Sequence, residues 1–154
     1  MQTFLPYSDF VKSARILDRA RLGKQRVECF QLLCVNLGLK KIRNNGIASL
    51  IEHEAKGWKN HPAALMWKGW ESGLLSYMEE CNIEWKNRGY NGVESEWNFS
   101  AIRDRITPSS EKIPAWYGRE SFHRAHQSNL IRKMPEYYGP LFPNVPNNLE
   151  YEWR

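Results

Sequence analysis

From Asn60 to Tyr90 the chain reads NHPAALMWKGWESGLLSYMEECNIEWKNRGY, with apolar residues at steps of three and four: Trp67, Trp70, Leu74, Met78, Cys81 and Trp85. That spacing gathers them on one helical face, while Lys68, Ser72, Ser76, Glu79 and Lys86 fall mostly elsewhere. One long helix is predicted here, about 40 Å from end to end at 1.5 Å per residue. Pro62 suits its first position, where a missing N–H leaves nothing unpaired. Asn60 or His61 can cap it, and Gly89 supplies the stop.

The same signals place the other elements. Ser8 or Asp9 caps a short helix carrying Phe10, Val11, Ala14 and Leu17, and Asp18 caps a second that runs to about Leu37 before Gly38. The second has an apolar stripe of Leu22, Cys29, Phe30, Leu33 and Leu37 with Arg26 in its middle. A buried unpaired charge is costly, so Arg26 is expected either to meet a carboxylate, with Glu71 the candidate, or to face a pocket that holds an anion. Gly23, one turn earlier, marks a close approach to the backbone. From Gly38 to Lys59 the sequence reads as a polar, basic loop through Lys40, Lys41, Arg43 and Asn44-Asn45-Gly46, then a short helix over Ile47 to Ala55; His53 there is a surface residue. Asn91 to Pro114 reads as one irregular helical segment and a loop, with a turn at Pro108-Ser109-Ser110. Glu120 to Lys133, between Gly118 and Pro135, is a further helix with Phe122, Ala125, Asn129 and Leu130 toward one side and His123, His126 and Gln127 close together. Met1 to Tyr7 and the stretch from Met134 onward lack a helical period and read as straps, the second offering Tyr137 and Tyr138 for stacking. The expected architecture is all-α: a compact single-domain helical bundle over residues 1–154, with extended N- and C-terminal straps.

Composition narrows the picture. A chain of 154 residues is long enough to bury one core. Cys29, Cys34 and Cys81 form no C-x-x-C pair and lie on presumed core faces, as reduced cysteines of a cytoplasmic protein do. No apolar run approaches about 18 residues and no basic-then-apolar segment opens the chain, so neither a membrane span nor a signal peptide is expected. The net charge of +5 is unevenly spread: Lys12, Arg15, Arg19, Arg21, Lys24 and Arg26 face only Asp9 and Asp18. This cluster is either a solvated helix face or a surface that contacts phosphates. His123 and His126 have the spacing of two metal ligands, but no acid or cysteine falls in register as a third. No metal or other cofactor is expected, and hydrogen bonds to phosphate, base or backbone suit them better.

Several stretches, in order over nearly the whole chain, resemble the pyrimidine-dimer DNA glycosylases of the phage endonuclease V type. RLGKQR at 21–26 is similar to the segment before that family's catalytic acid. The helix after His61, ending in Lys86-Asn87-Arg88-Gly89-Tyr90, is similar to its central helix. His126 to Lys133 followed by Pro135-Glu136-Tyr137-Tyr138 is similar to its C-terminal helix and aromatic tail. The resemblance implies a helical protein that bends the duplex and attacks C1′ of a damaged nucleotide with its own N-terminal amine. The base is expelled through a Schiff base, and a glutamate assists ring opening and strand cleavage. An α-amino group titrates at about 7.7–8.0, so part of it is neutral and nucleophilic near physiological pH.

Two departures shape the expectation. The family exposes a small residue by removing the initiator Met, whereas bulky Gln2 leaves the amine on Met1. The family's acid directly follows the motif arginine, whereas Val27 follows Arg26 and Glu28 comes one later, about 100° further around a helix. Glu28 also shares a face with Lys24 as an i,i+4 pair, so Glu71 stays open as a second candidate acid. The expected site therefore has Met1, Glu28 and Glu71 as catalytic candidates. Arg15, Arg19, Arg21, Lys24, Arg26, His61, Trp67, His123, His126 and Lys133 are its nucleic-acid-binding candidates. The expected partner is double-stranded DNA, bound by a monomer. Two alternatives remain: a non-catalytic DNA-binding protein on the same scaffold, and an enzyme on free nucleotides that uses His61 at a helix N-terminus as an anion site.

Overall fold

Two aspartates start the helical part of the chain. In the computed structural model, which describes residues 1–108 and 113–154, Asp9 caps α1 (Phe10–Ile16) by accepting from the Lys12 N–H at 2.9 Å. Asp18 caps α2 (Arg19–Leu37) through the Arg21 N–H, and Gly38 ends it in the left-handed region at φ 68°. These boundaries agree with the sequence.

The next segment does not. Leu39–Asn44 (β1) and Ile47–Glu52 (β2) pair as an antiparallel hairpin, so the chain is predominantly helical and not all-α. Asn45 and Gly46 connect the strands at φ 51° and 78°, the two positive values that a two-residue turn of type I′ needs. An Asn-Gly turn flanked by Ile42 and Ile47 outweighs the short helical spacing read over Ile47 to Ala55. Arg43 holds Glu94 of α5 (Val93–Arg103) at 2.7 Å, and Lys41 reaches both Glu94 and Asn98, which ties the hairpin to that helix.

The long central helix is broken into α3 (Pro62–Trp67) and α4 (Glu71–Asn87). Gly69 turns the chain at φ 85°, and the Glu71 carboxylate accepts the Gly69 N–H at 2.9 Å, closing the start of α4. The outer ends fall where predicted. His61 caps α3, and Gly89, at φ 85°, lies just past the last turn of α4. The apolar stripe continues across the break: Trp67, Leu74, Met78 and Cys81 are all fully buried.

The element that the others pack around is α2, which meets α3, α4, α5 and β1. Its Leu22, Cys29, Leu32 and Leu33 close one core with Leu74, Tyr77 and Met78 of α4. The three thiols are free and buried, and burial pushes those of Cys34 and Cys81 up to about 12, so they stay protonated. After α6 (Glu120–Lys133) comes α7 (Pro135–Leu141), where a strap was expected; Pro135 opens it at a position that needs no N–H. Tyr138 is not a free stacking surface: it is fully buried, and its hydroxyl donates to Asp18 at 2.5 Å. From Phe142 onward the chain returns without helix across the body, as a strap should. The expected turn at Pro108-Ser109-Ser110 lies partly outside the described residues. Among the described residues no helix is long and apolar enough to cross a membrane.

Candidate active site

The N-terminal strap has no ladder of its own, so its peptide groups need side-chain partners. Gln25 of α2, fully buried, accepts the Phe4 N–H at 2.8 Å through Oε1 and donates to the Gln2 carbonyl at 2.9 Å through Nε2. The Tyr77 hydroxyl donates to the Phe4 carbonyl at 2.5 Å. Two histidines of α6 hold the next residue: His123 Nδ1–H donates to the Leu5 carbonyl at 2.7 Å, and His126 Nδ1 accepts the Leu5 N–H at 3.0 Å. Their other nitrogens are also engaged. His123 Nε2 accepts the Gly118 N–H at 2.9 Å, and His126 Nε2–H donates to the Glu152 carbonyl at 2.8 Å. Burial lowers both pKa values, that of His126 to about 3. With all four ring nitrogens used, this structure leaves His123 and His126 none to offer phosphate or base. Trp67 is likewise a core residue, fully buried, with Nε1–H donating to Thr3 Oγ1 at 3.1 Å. These three candidates hold the strap.

What they position is the first residue. Met1 and Gln2 line a cavity of about 540 Å³ together with Arg21, Lys24 and Glu28 of α2. His61, Lys133 and Trp153, with Phe4 and Ala20, complete its walls. Glu28 Oε2 lies 3.4 Å from the backbone nitrogen of Gln2 and 3.4 Å from Gln25 Nε2. Its carboxylate has turned to the strap, and no Lys24–Glu28 pair is formed. Glu71 is elsewhere, bound at the start of α4. His61 uses Nδ1 to accept the Ala63 N–H at 3.1 Å, so a neutral ring carries its proton on Nε2. Trp58 and Trp153 stand 5.2 and 5.8 Å from it, and burial, then the neighbouring N-terminal ammonium, lowers its pKa.

Arg19 and Arg26 lie in a groove beside this cavity. Arg26 does not meet Glu71: its guanidinium lies over the Trp85 ring at 4.0 Å and donates to Ser95 Oγ, leaving Nε without a partner among the described residues. A Cβ on Gly23 would stand 3.2 Å from Trp85, so the close approach read from Gly23 is that indole. Arg19 stacks over Tyr90 at 4.7 Å, and Tyr90 lies 4.5 Å from Trp85. Arg19, Arg26 and Trp85 line a groove that shares Lys24 and Glu28 with the cavity. Arg15 lies apart, beside Tyr7 and Lys12.

Sequence reading missed Gln25 and Trp153. Gln25 had a signal, since it stands three residues after Leu22 and four before Cys29, inside the stripe assigned to Arg26. Trp153 had none, because only the return of the C-terminal strap brings it to His61.

A primary amine, a carboxylate and three cations in one cavity can attack an electrophilic carbon, move a proton and hold phosphate. No curated protein and no solved structure matches the chain. One family, described as pyrimidine dimer DNA glycosylase, matches residues 1–97, the stretch that supplies Met1, Arg21, Lys24, Glu28 and His61 to the cavity. With more than half of its length and most of the cavity wall inside that match, the chain belongs to the pyrimidine dimer DNA glycosylase family.

Proposed function

We propose that the chain acts as one unit, a monomeric DNA glycosylase and abasic-site lyase on double-stranded DNA, with the Met1 amine as nucleophile and Glu28 as its acid–base partner. The observation that carries this reading is that Met1 and Glu28 line one cavity, with the carboxylate 3.4 Å from the backbone nitrogen of residue 2. The neutral amine attacks C1′ and the bond from C1′ to the base breaks, its electron pair leaving with the base, which takes up a proton. Loss of a proton from nitrogen and opening of the sugar ring give the Schiff base, with Glu28 protonating the ring oxygen. As a carboxylate, Glu28 then removes a C2′ proton and the 3′ phosphate departs. Arg21, Lys24 and Lys133 hold the flanking phosphates, and Arg19 and Arg26 extend the cationic track along α2. Glu71 has no part in this chemistry.

Borohydride trapping tests the proposal. The protein is incubated with a duplex containing an abasic site, reduced, and examined for a covalent adduct mapped by mass spectrometry. An adduct on the N-terminal residue is expected. Duplex binding without an adduct would remove the Schiff base and favour the non-catalytic binding protein. Saturable binding of a mononucleotide without salt-dependent duplex binding would favour an enzyme on free nucleotides.

A further inference from the structure

Hydrogen bonds fix the strap as far as Gln2: its carbonyl accepts from Gln25 at 2.9 Å, and its N–H lies 3.4 Å from the Glu28 carboxylate. Among the described residues no hydrogen bond reaches Met1 itself. Rotation about the Met1 Cα–C bond is therefore left free by the backbone, and it carries the amine and the side chain round together, since both stand on one tetrahedral carbon. Whatever holds the side chain aims the amine.

Met1 divides between two spaces. Its ammonium charge, after burial, helps to lower the pKa of His61, which lines the first cavity and not the second. The amine is thus on the side of the first. The side chain packs against the core, and Met1 also lines a second cavity, of about 750 Å³, with Val27 and Phe30 of α2. That cavity is mixed in character, because Lys40, Lys41, His53 and Glu94 line it too, but Val27 and Phe30 give it an apolar wall on α2. Val27 stands next to Glu28, about 100° round the same helix. A wall for the side chain and the carboxylate for the amine are therefore neighbours on one rigid element.

We propose that the Met1 side chain is a positioning group, seated against Val27 and Phe30 so that the amine is held in the first cavity beside Glu28 and His61. The inference rests on the amine chemistry proposed above and adds to it what aims the nucleophile. The two departures of this sequence from the family, a bulky first residue and Val27 ahead of Glu28, then become one arrangement, since both residues line the same cavity. The seat asks for an apolar side chain of that length and not for sulfur.

Exchanging the first residue tests this. Each chain is released by cutting a leader directly before residue 1, and its N-terminus is verified by mass. On an abasic duplex the amine adds to C1′, water leaves, and borohydride reduces the imine, so aliquots reduced at successive times give the rate of adduct formation. Measured against protein concentration under single turnover, the limiting rate separates from affinity. Met1→Ala is expected to lower the limiting rate at least about tenfold, with the half-saturating concentration within about twofold of wild type. Met1→Leu, which keeps an apolar side chain of similar volume, should recover the rate to within about threefold. Val27→Ala, at an exposed position on α2, should slow the reaction as well, and the double variant Met1→Ala/Val27→Ala should be no slower than Met1→Ala, because both changes remove one contact. A wild-type rate in Met1→Ala would overturn the inference, as would additive losses in the double variant or a loss of affinity in place of rate. No adduct from the wild type would instead overturn the Schiff-base reading itself.

Discussion

The imidazole of His126 lies against the ring of Tyr151, 4.3 Å between centroids and 24° from parallel, and the Tyr151 hydroxyl donates to the Thr3 carbonyl at 2.6 Å. A buried histidine thus clasps the two straps between which it sits, and it does so only while neutral, since Nδ1 must accept from Leu5.

Its titration makes the fold sensitive to acid. In the folded chain His126 stays neutral to about pH 3, whereas in the unfolded chain it protonates near 6.5. Above pH 6.5 neither state binds the proton and this group adds no pH dependence. Between 6.5 and 3 the unfolded chain binds more protons, so stability falls as pH falls, by up to about 1.4 kcal/mol per unit. The urea midpoint is expected to drop between pH 7 and pH 5. A midpoint constant over that range would contradict the neutral clasp.

Glu28→Gln keeps an oxygen for the Gln2 N–H and removes the titrating group. Strand cleavage at an abasic site should fall about 10²- to 10⁴-fold, with duplex affinity within a few-fold of wild type. Glu71→Gln should leave cleavage within twofold. Single-turnover cleavage assays on both variants check the assignment, and a reversed ranking would make Glu71 the acid.

Lys24 and Lys133 line the cavity, and the proposed function has them neutralise phosphates. Each change to Ala should lower duplex affinity for all sequences alike and reduce the slope of log K against log salt by about 0.9. Binding titrations between 50 and 200 mM salt, roughly the range over which such contacts are lost, read the slope. An unchanged slope in both variants would remove them from the interface.

Gly23→Val sets a branched side chain against Trp85, whose ring would stand 3.2 Å from even a Cβ. A loss of about 1–3 kcal/mol is expected from this overpacking, read as a lower urea midpoint at constant slope. An unchanged midpoint would mean that the indole moves aside freely.

Sequence legibility followed the range of the signals. Asp9, Asp18 and Gly38 mark α1 and α2 because a cap is a bond between residues three or four positions apart. Met1, Glu28, Arg21, Lys24, His61 and Lys133 were named as site candidates, and they share one cavity. Asn45-Gly46 announced a hairpin just as locally, yet the cations around it read as loop and the turn went unused. Gly69 was visible inside the long apolar stripe, but periodicity alone does not say whether a stripe bends. His123, His126 and Trp67 could not be placed from sequence, because their partners are Leu5, Glu152 and Thr3, far away along the chain. A histidine pair that reaches for DNA and one that grips a peptide have the same spacing.

The grip on Leu5 also orders events in time. The strap from Thr3 to Leu5 is translated before α6 and Tyr151, which fasten it. A chain released after residue 97 would hold the whole stretch matched by the family and neither His123, His126 nor Tyr151 to seat its own first residue. Contacts between residues so far apart in sequence carry a loop-closure cost that local helix contacts do not. The strap can be held in this way only once Tyr151 has been made.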